Sequence, residues 1–164
     1  MKKPFILLLG FVLISFSFQS CTKTTEEENP VGSNLHVKFI NNSASDFTIN
    51  TIEIRSRGLV SGTDQPIGAW GSNLLTNGLT LAPGASTFFD LSIPNLHWSE
   101  YRIGVDNGGT TVMVEENANV GVDAGYPITH WGGDDRTVSI TVKYNELYDV
   151  IYVSGWSDWV GIDD

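Results

Sequence analysis

Past the first thirty or so residues, apolar and polar positions alternate in short runs separated by turn residues, and a helical period is absent. Residues 35–41, LHVKFIN, place Leu35, Val37 and Phe39 on one side and His36 and Lys38 on the other, the period of a half-buried strand. Residues 42–46 carry turn chemistry. Alternation resumes over 47–57, with a change of parity near Thr51 that predicts a bulge. Further strands are predicted over 86–93, 100–106, 110–116, 136–144 and 148–153. The clearest is 136–144, with Val138, Ile140 and Val142 directed inward. Asn107-Gly108-Gly109 predicts a tight hairpin, because Asn and Gly supply the positive φ such turns need.

Two stretches resist this reading. Residues 58–84 and 117–135 sustain no strand pattern, and connections that long are rare in a compact domain unless they are functional or contain a short element. The tail 154–164, with Trp156 and Trp159, is not assigned to a strand. Seven strands joined by turns, without helices between them, predict an all-β antiparallel sandwich.

The N-terminus has a different pattern. Lys2 and Lys3 precede an uncharged, mostly apolar run over residues 5–18, too short to span a bilayer and of the length of a signal-peptide core. It ends in Phe18-Gln19-Ser20-Cys21, which resembles the lipobox of bacterial lipoproteins. The resemblance implies a lipoprotein signal peptide over 1–20, lipidation of Cys21 and attachment to a membrane through it. Cys21 is the one cysteine of the 164 residues, so an intrachain disulfide is excluded. The polar residues that follow, TKTTEEENP, make 21–33 a flexible acidic tether ahead of a domain over 34–164. Lys23 and Glu26, Glu27 and Glu28 resemble the export signal of Bacteroidetes surface lipoproteins, which implies a cell-envelope, outer-membrane protein exposed at the surface. The order of turn residues through 70–75, 81–86 and 101–109 is similar to a small bacterial β-sandwich domain of uncharacterised function, and implies an immunoglobulin-like fold.

Charge narrows the partners. The chain carries a formal net charge of −10; loss of Lys2 and Lys3 with a leader takes nine basic residues to seven against nineteen acidic ones, a net of −12. Nucleic acid is therefore not an expected partner, since phosphate binding draws on clustered Lys and Arg. His36, His97 and His130 lack a metal-ligand spacing, and no cofactor or metal is expected. Gly-x-Ser-x-Gly and phosphate-cradling loops are absent, and Glu115 and Glu116, as neighbours on a strand, point to opposite faces, so an enzyme is not expected.

What remains is aromatic. If successive strands are antiparallel, connections alternate between the ends of the sandwich. That parity puts the N-terminus with the Trp70 loop, the Asn107 hairpin and the Asn145 turn, and gathers His97, Trp98, Tyr126, His130, Trp131, Trp156 and Trp159 toward the distal end. An undetected strand within 58–84 would reverse the order. Aromatic faces on loops stack against sugar rings, with Asn95, Asp134, Asp135 and Asp158 near to orient hydroxyls. These residues are the candidate binding site for a glycan or an envelope protein in a non-catalytic binding module. Competing readings are tryptophans that plug the core, a structural accessory of an envelope assembly, and a membrane-active sandwich of the aegerolysin kind.

Overall fold

The computed structural model describes residues 34–62, 67–114 and 125–162. The expected signal peptide and tether, with Cys21, and Glu115 and Glu116 lie outside the described residues. Those described form eight strands and no helix: β1 (Leu35–Asn41), β2 (Ile49–Leu59), β3 (Ser86–Leu91), β4 (His97–Asn107), β5 (Thr110–Met113), β6 (Tyr126–His130), β7 (Asp135–Asn145) and β8 (Val150–Val160). One sheet has the order β3-β1-β7-β8. In the other, β2 flanks β4 on one side, and β5 and β6 share its other side.

The alternation in the sequence becomes the core. Leu35, Val37 and Phe39 of β1, Val138, Ile140 and Val142 of β7, and Ile151 and Val153 of β8 meet Ile52, Tyr101, Ile103, Val105 and Ile128 of the second sheet in one buried cluster. The Phe39 and Tyr101 rings meet edge to face at 5.0 Å, joining the two sheets in a sandwich-like arrangement. Each such side chain contributes about 1.5–3 kcal/mol on burial. The inward face of β1 ends on a polar residue, Asn41, which is fully buried. Its amide donates to the carbonyls of Phe47 (2.9 Å) and Leu81 (2.8 Å), so the β1–β2 turn and the segment before β3 are tied to one side chain.

Four features depart from the expected architecture. The two central strands β1 and β7 are parallel, so the sandwich is not purely antiparallel. An eighth strand, β6, lies within the 117–135 connection. It runs in the same direction as β5 along β4: Val114 bonds opposite Ile103, and Tyr126 rejoins opposite Tyr101. β8 continues to Val160, because a register shift opposite Thr141 and Val142 absorbs Ser154 and changes the parity of the tail. Finally, residues 68–81 return along the open edge of β2. Gly68, Gly71 and Leu74 donate backbone N–H groups to Ser56, Ile54 and Ile52, and Leu81 bridges Ile49. Asn73 substitutes its side chain for backbone there, accepting from Ile52 N at 2.9 Å and donating to Asn50 O at 3.0 Å. A Cβ at Gly71 would lie 3.1 Å from Ile54 O, so the close approach calls for glycine and yields no alternating pattern. The bulge expected near Thr51 is present as a register shift between Ile49 and Thr51, and Gly108 and Gly109 form the expected hairpin with φ of 65° and 88°.

Candidate functional site

The return of residues 68–81 along β2 decides which end the chain starts from. His36 is opposite Asp135 and its N–H bonds to Asp134 O, so β1 begins beside the turn that carries Trp131. Most of the expected grouping of loops holds, with the 107–110 and 145–149 turns at one end and the 92–97 and 130–135 turns at the other, but the Trp70 segment, expected with the former, runs along β2 beside Ile54 and Ser56. The N-terminus, however, is at the second end, which corrects the sequence expectation. We term these the tyrosine end and the tryptophan end.

At the tryptophan end, Val60 N–H bonds to Leu96 O and Leu96 N–H to His130 O, which gathers three loops. Val60, Ser61, Leu96 and Trp131 line a cleft of about 260 Å³. Trp131 is 61% exposed and Leu96 51% exposed. Leu96 has φ 62°, a left-handed conformation that ordinarily favours Gly or Asn.

Beneath this cleft the polar groups serve the fold. His130 is fully buried; Nδ1 faces Ile93 O at 2.5 Å and Nε2 faces Asp134 Oδ1 at 2.9 Å. Asp158 Oδ2 accepts from Thr129 N (3.0 Å) and Thr129 Oγ1 (2.6 Å), a clamp between the edges β6 and β8 of the two sheets. Arg136, also buried, donates to Trp131 O at 3.1 Å and sets Nε 3.4 Å from Asp158 Oδ1, an ion pair without hydrogen-bond alignment. Burial pushes the Asp158 carboxyl above its ordinary value, against the opposing pull of Thr129 and Arg136. Burial likewise pushes the Tyr101 phenol far up, reinforced by Tyr126 and Asp158.

The seven proposed binding residues therefore do not form one surface. Tyr126 and His130 are core residues, closed to a ligand while the sandwich is intact. Trp98 lies half-buried on the outer face of the second sheet, with the Arg57 guanidinium 5.0 Å from its ring. Trp156 covers the Tyr126 ring at 6.1 Å, and Trp159 packs on the outer side of β8 opposite Thr137. His97 Nδ1 faces Asn95 O at 3.0 Å, and Trp131 alone projects into the cleft. Of the proposed hydroxyl-orienting groups, Asp158 is committed to Thr129 and Arg136, and Asp134 to His130. Sequence reading left Trp70 out of the binding set; the guanidinium groups of Arg55 (4.1 Å) and Arg102 (4.6 Å) lie against its ring, themselves paired with Glu100 and Glu53. The opposite charges at outward positions of β2 and β4 are the signal for that ladder.

The tyrosine end has its own concavity, about 180 Å³, between the sheets, lined by Asn107, Val112, Met113, Tyr144, Asp149, Val150 and Ile151. Tyr144 is 45% exposed and donates its hydroxyl to Asp149 Oδ1 at 2.6 Å, which holds its phenol above the ordinary range. Asp149 itself has φ 55°, and Asn145 Oδ1 accepts from Leu147 N and Tyr148 N to shape the turn. Tyr148 stands half-exposed beside it. No family model, no curated protein and no solved structure matches this chain.

Proposed function

We propose that the protein is an outer-membrane lipoprotein of the cell envelope, anchored by lipidated Cys21, whose immunoglobulin-like sandwich is a non-catalytic binding module for a glycan. The carrying observation is the polarity of the domain. The described chain starts at the tryptophan end, and a cleft with a tyrosine ring, a carboxylate and an amide opens at the other. In this reading the ligand-facing aromatics are Tyr144 and Tyr148, not the tryptophans. Tyr144 offers a ring face over an apolar floor of Val112, Val150 and Ile151, while Asp149 and Asn107 are placed to bond sugar hydroxyls. The cleft is small, which suits a single terminal sugar unit rather than an extended chain.

Glycan-array binding by the chain without its leader tests this. Binding that falls about tenfold or more in Tyr144→Ala or Asp149→Ala, and persists in Trp131→Ala, is the expected result, since an aromatic stack and a bonded carboxylate are each worth around 1 kcal/mol or more. Binding lost in Trp131→Ala alone would move the site to the other end, and a folded chain that retains no glycan would end the reading.

A further inference from the structure

We infer that the tryptophan end is a seat for a lipid surface, so that the domain rests on the bilayer through Leu59, Val60, Leu96, Trp131 and Val160. This deepens the anchoring reading above and rests on it for the cellular setting. Four observations converge.

The first is reach. From Cys21 to Asn34 the chain spans at most about 45 Å fully extended, and an eleven-residue strand such as β7 or β8 is roughly 35 Å long. The tyrosine end could meet the same surface only with the linking residues drawn nearly taut along the side of the domain. The second is exposure. Leu59, Leu96, Trp131 and Val160 are 41%, 51%, 61% and 57% exposed, and the backbone bonds from Val60 to Leu96 and from Leu96 to His130 hold three of the loops together. Gly133 lies against Val160, so that side chain adjoins the Trp131 turn.

The third is Leu96 itself. A leucine at φ 62° is unfavourable for the turn, and a leucine half in water contributes little to the core, so neither the local backbone nor folding accounts for its presence. Insertion into an apolar phase would. The fourth is the aromatic itself. Charge does not tell the ends apart, since Asp90, Asp134 and Asp135 stand at the tryptophan end as Asp46, Asp106, Glu146 and Asp149 do at the other. The exposed Trp131 ring does, because tryptophan favours the interface between headgroup and acyl chain.

Because Cys21 is the one cysteine, the chain from Cys21 onward, which contains every described residue, can be coupled through it to a maleimide phospholipid in phosphatidylcholine vesicles. This separates docking from lipidation in the cell, which palmitate labelling of the protein tests on its own. With brominated acyl chains in the vesicles, one of five tryptophans should be quenched, a loss of about one fifth of the emission. Trp131→Phe should abolish that loss. Leu96→Gly with Val160→Ser should at least halve it while leaving the unfolding midpoint unchanged or raised, since Gly accepts the backbone conformation that Leu96 strains. Absence of quenching in the coupled wild type overturns the inference whether or not cells lipidate Cys21, as does quenching that the double variant leaves intact. Trp131 protected from aqueous iodide in isolated envelopes, but not in coupled vesicles, would assign the end to a protein partner and overturn it equally.

Discussion

The two ends of this sandwich solve the same problem in different ways. At the tyrosine end, beside the buried Asn41 amide, turns are closed by exposed bonds: Asp46 to Lys143 at 2.7 Å, Tyr144 to Asp149 at 2.6 Å, and Asp106 to the N–H of Gly109 at 2.7 Å. At the tryptophan end, closure is done by buried charge, with Arg136, Asp158, Thr129 and His130 tying β6, β7 and β8 under a surface of exposed apolar side chains. Exposed pairs are screened by water and contribute little, whereas a buried charge left without its partner is costly. Both ends expose apolar side chains, Leu147 and Tyr148 at one and Trp131 and Leu96 at the other, and the difference teaches that only at the tryptophan end do they stand over a buried ion pair. A tryptophan and a leucine can be held outward there because the bonds fixing their loops lie below them.

The sharpest way to break that contrast is Asp158→Ala. It leaves Arg136 buried without its counter-charge and Thr129 N without an acceptor, so a loss of about 3–5 kcal/mol in chemical denaturation is expected. Lys143→Ala at the other end should leave the midpoint close to wild type. Equal losses would show that burial does not distinguish the ends. Next in size is Asn41→Ala, whose amide serves two carbonyls at the foot of the tyrosine end. About 1–3 kcal/mol should be lost as the Phe47 carbonyl loses the Asn41 amide and the Leu81 carbonyl, which still accepts from Ile49 N–H, loses its second donor. A negligible loss would mean that the Leu81 bridge, not the side chain, holds the segment.

How far all this was readable beforehand follows the same physical lines. Where one face of a strand is buried and the other wet, as in β1 and β7, alternation located the strand and its inward residues. Where the ladder is irregular, it did not. Gly68 and Gly71 approach β2 too closely for side chains, and Asn73 pairs through its amide, so residues 68–81 carry no period although they return the chain to the other end. That single omission exchanged the ends for the N-terminus and parted the Trp70 segment from the Asn107 and Asn145 turns, while leaving the other loops grouped as expected. The tail was missed because the shift at Ser154 changes parity, and β6 because five residues, one a proline, are too few to establish alternation. Among candidate site residues, exposure was the illegible quantity. Trp131 and His130 are adjacent in sequence, yet one is mostly in water and the other fully buried, since His130 closes β6 facing the core and Trp131 opens the turn beyond it.

Protonation offers a smaller effect with opposite signs at the two ends. The Lys143 hydrogen bond holds Asp46 below the ordinary carboxylate value, whereas burial holds Asp158 above it. Asp46 therefore contributes stability that is present above about pH 4 and lost as pH falls through its depressed pKa. Asp158 behaves in reverse: its contribution is complete below about pH 4 and is lost as pH rises through its raised pKa. Carboxyl carbon shifts followed by NMR should show Asp158 titrating at higher pH than Asp46. The reverse order would mean that Thr129 and Arg136 outweigh burial at Asp158.

The smallest effect concerns the cleft itself. Asp149 raises the Tyr144 phenol chiefly by accepting its hydrogen bond, and a charge at Asp149 opposes the phenolate as well. Asp149→Asn removes the charge and keeps an acceptor, so Tyr144 should ionise closer to its ordinary range in an ultraviolet titration, with Tyr101 unaffected because burial, not Asp149, governs it. If Tyr144 does not move, the 2.6 Å bond is not maintained in solution, and the ring is free to turn out of the cleft. A stack on a sugar face requires that ring to be fixed, so the same titration also tests whether the tyrosine end is preorganised for a ligand.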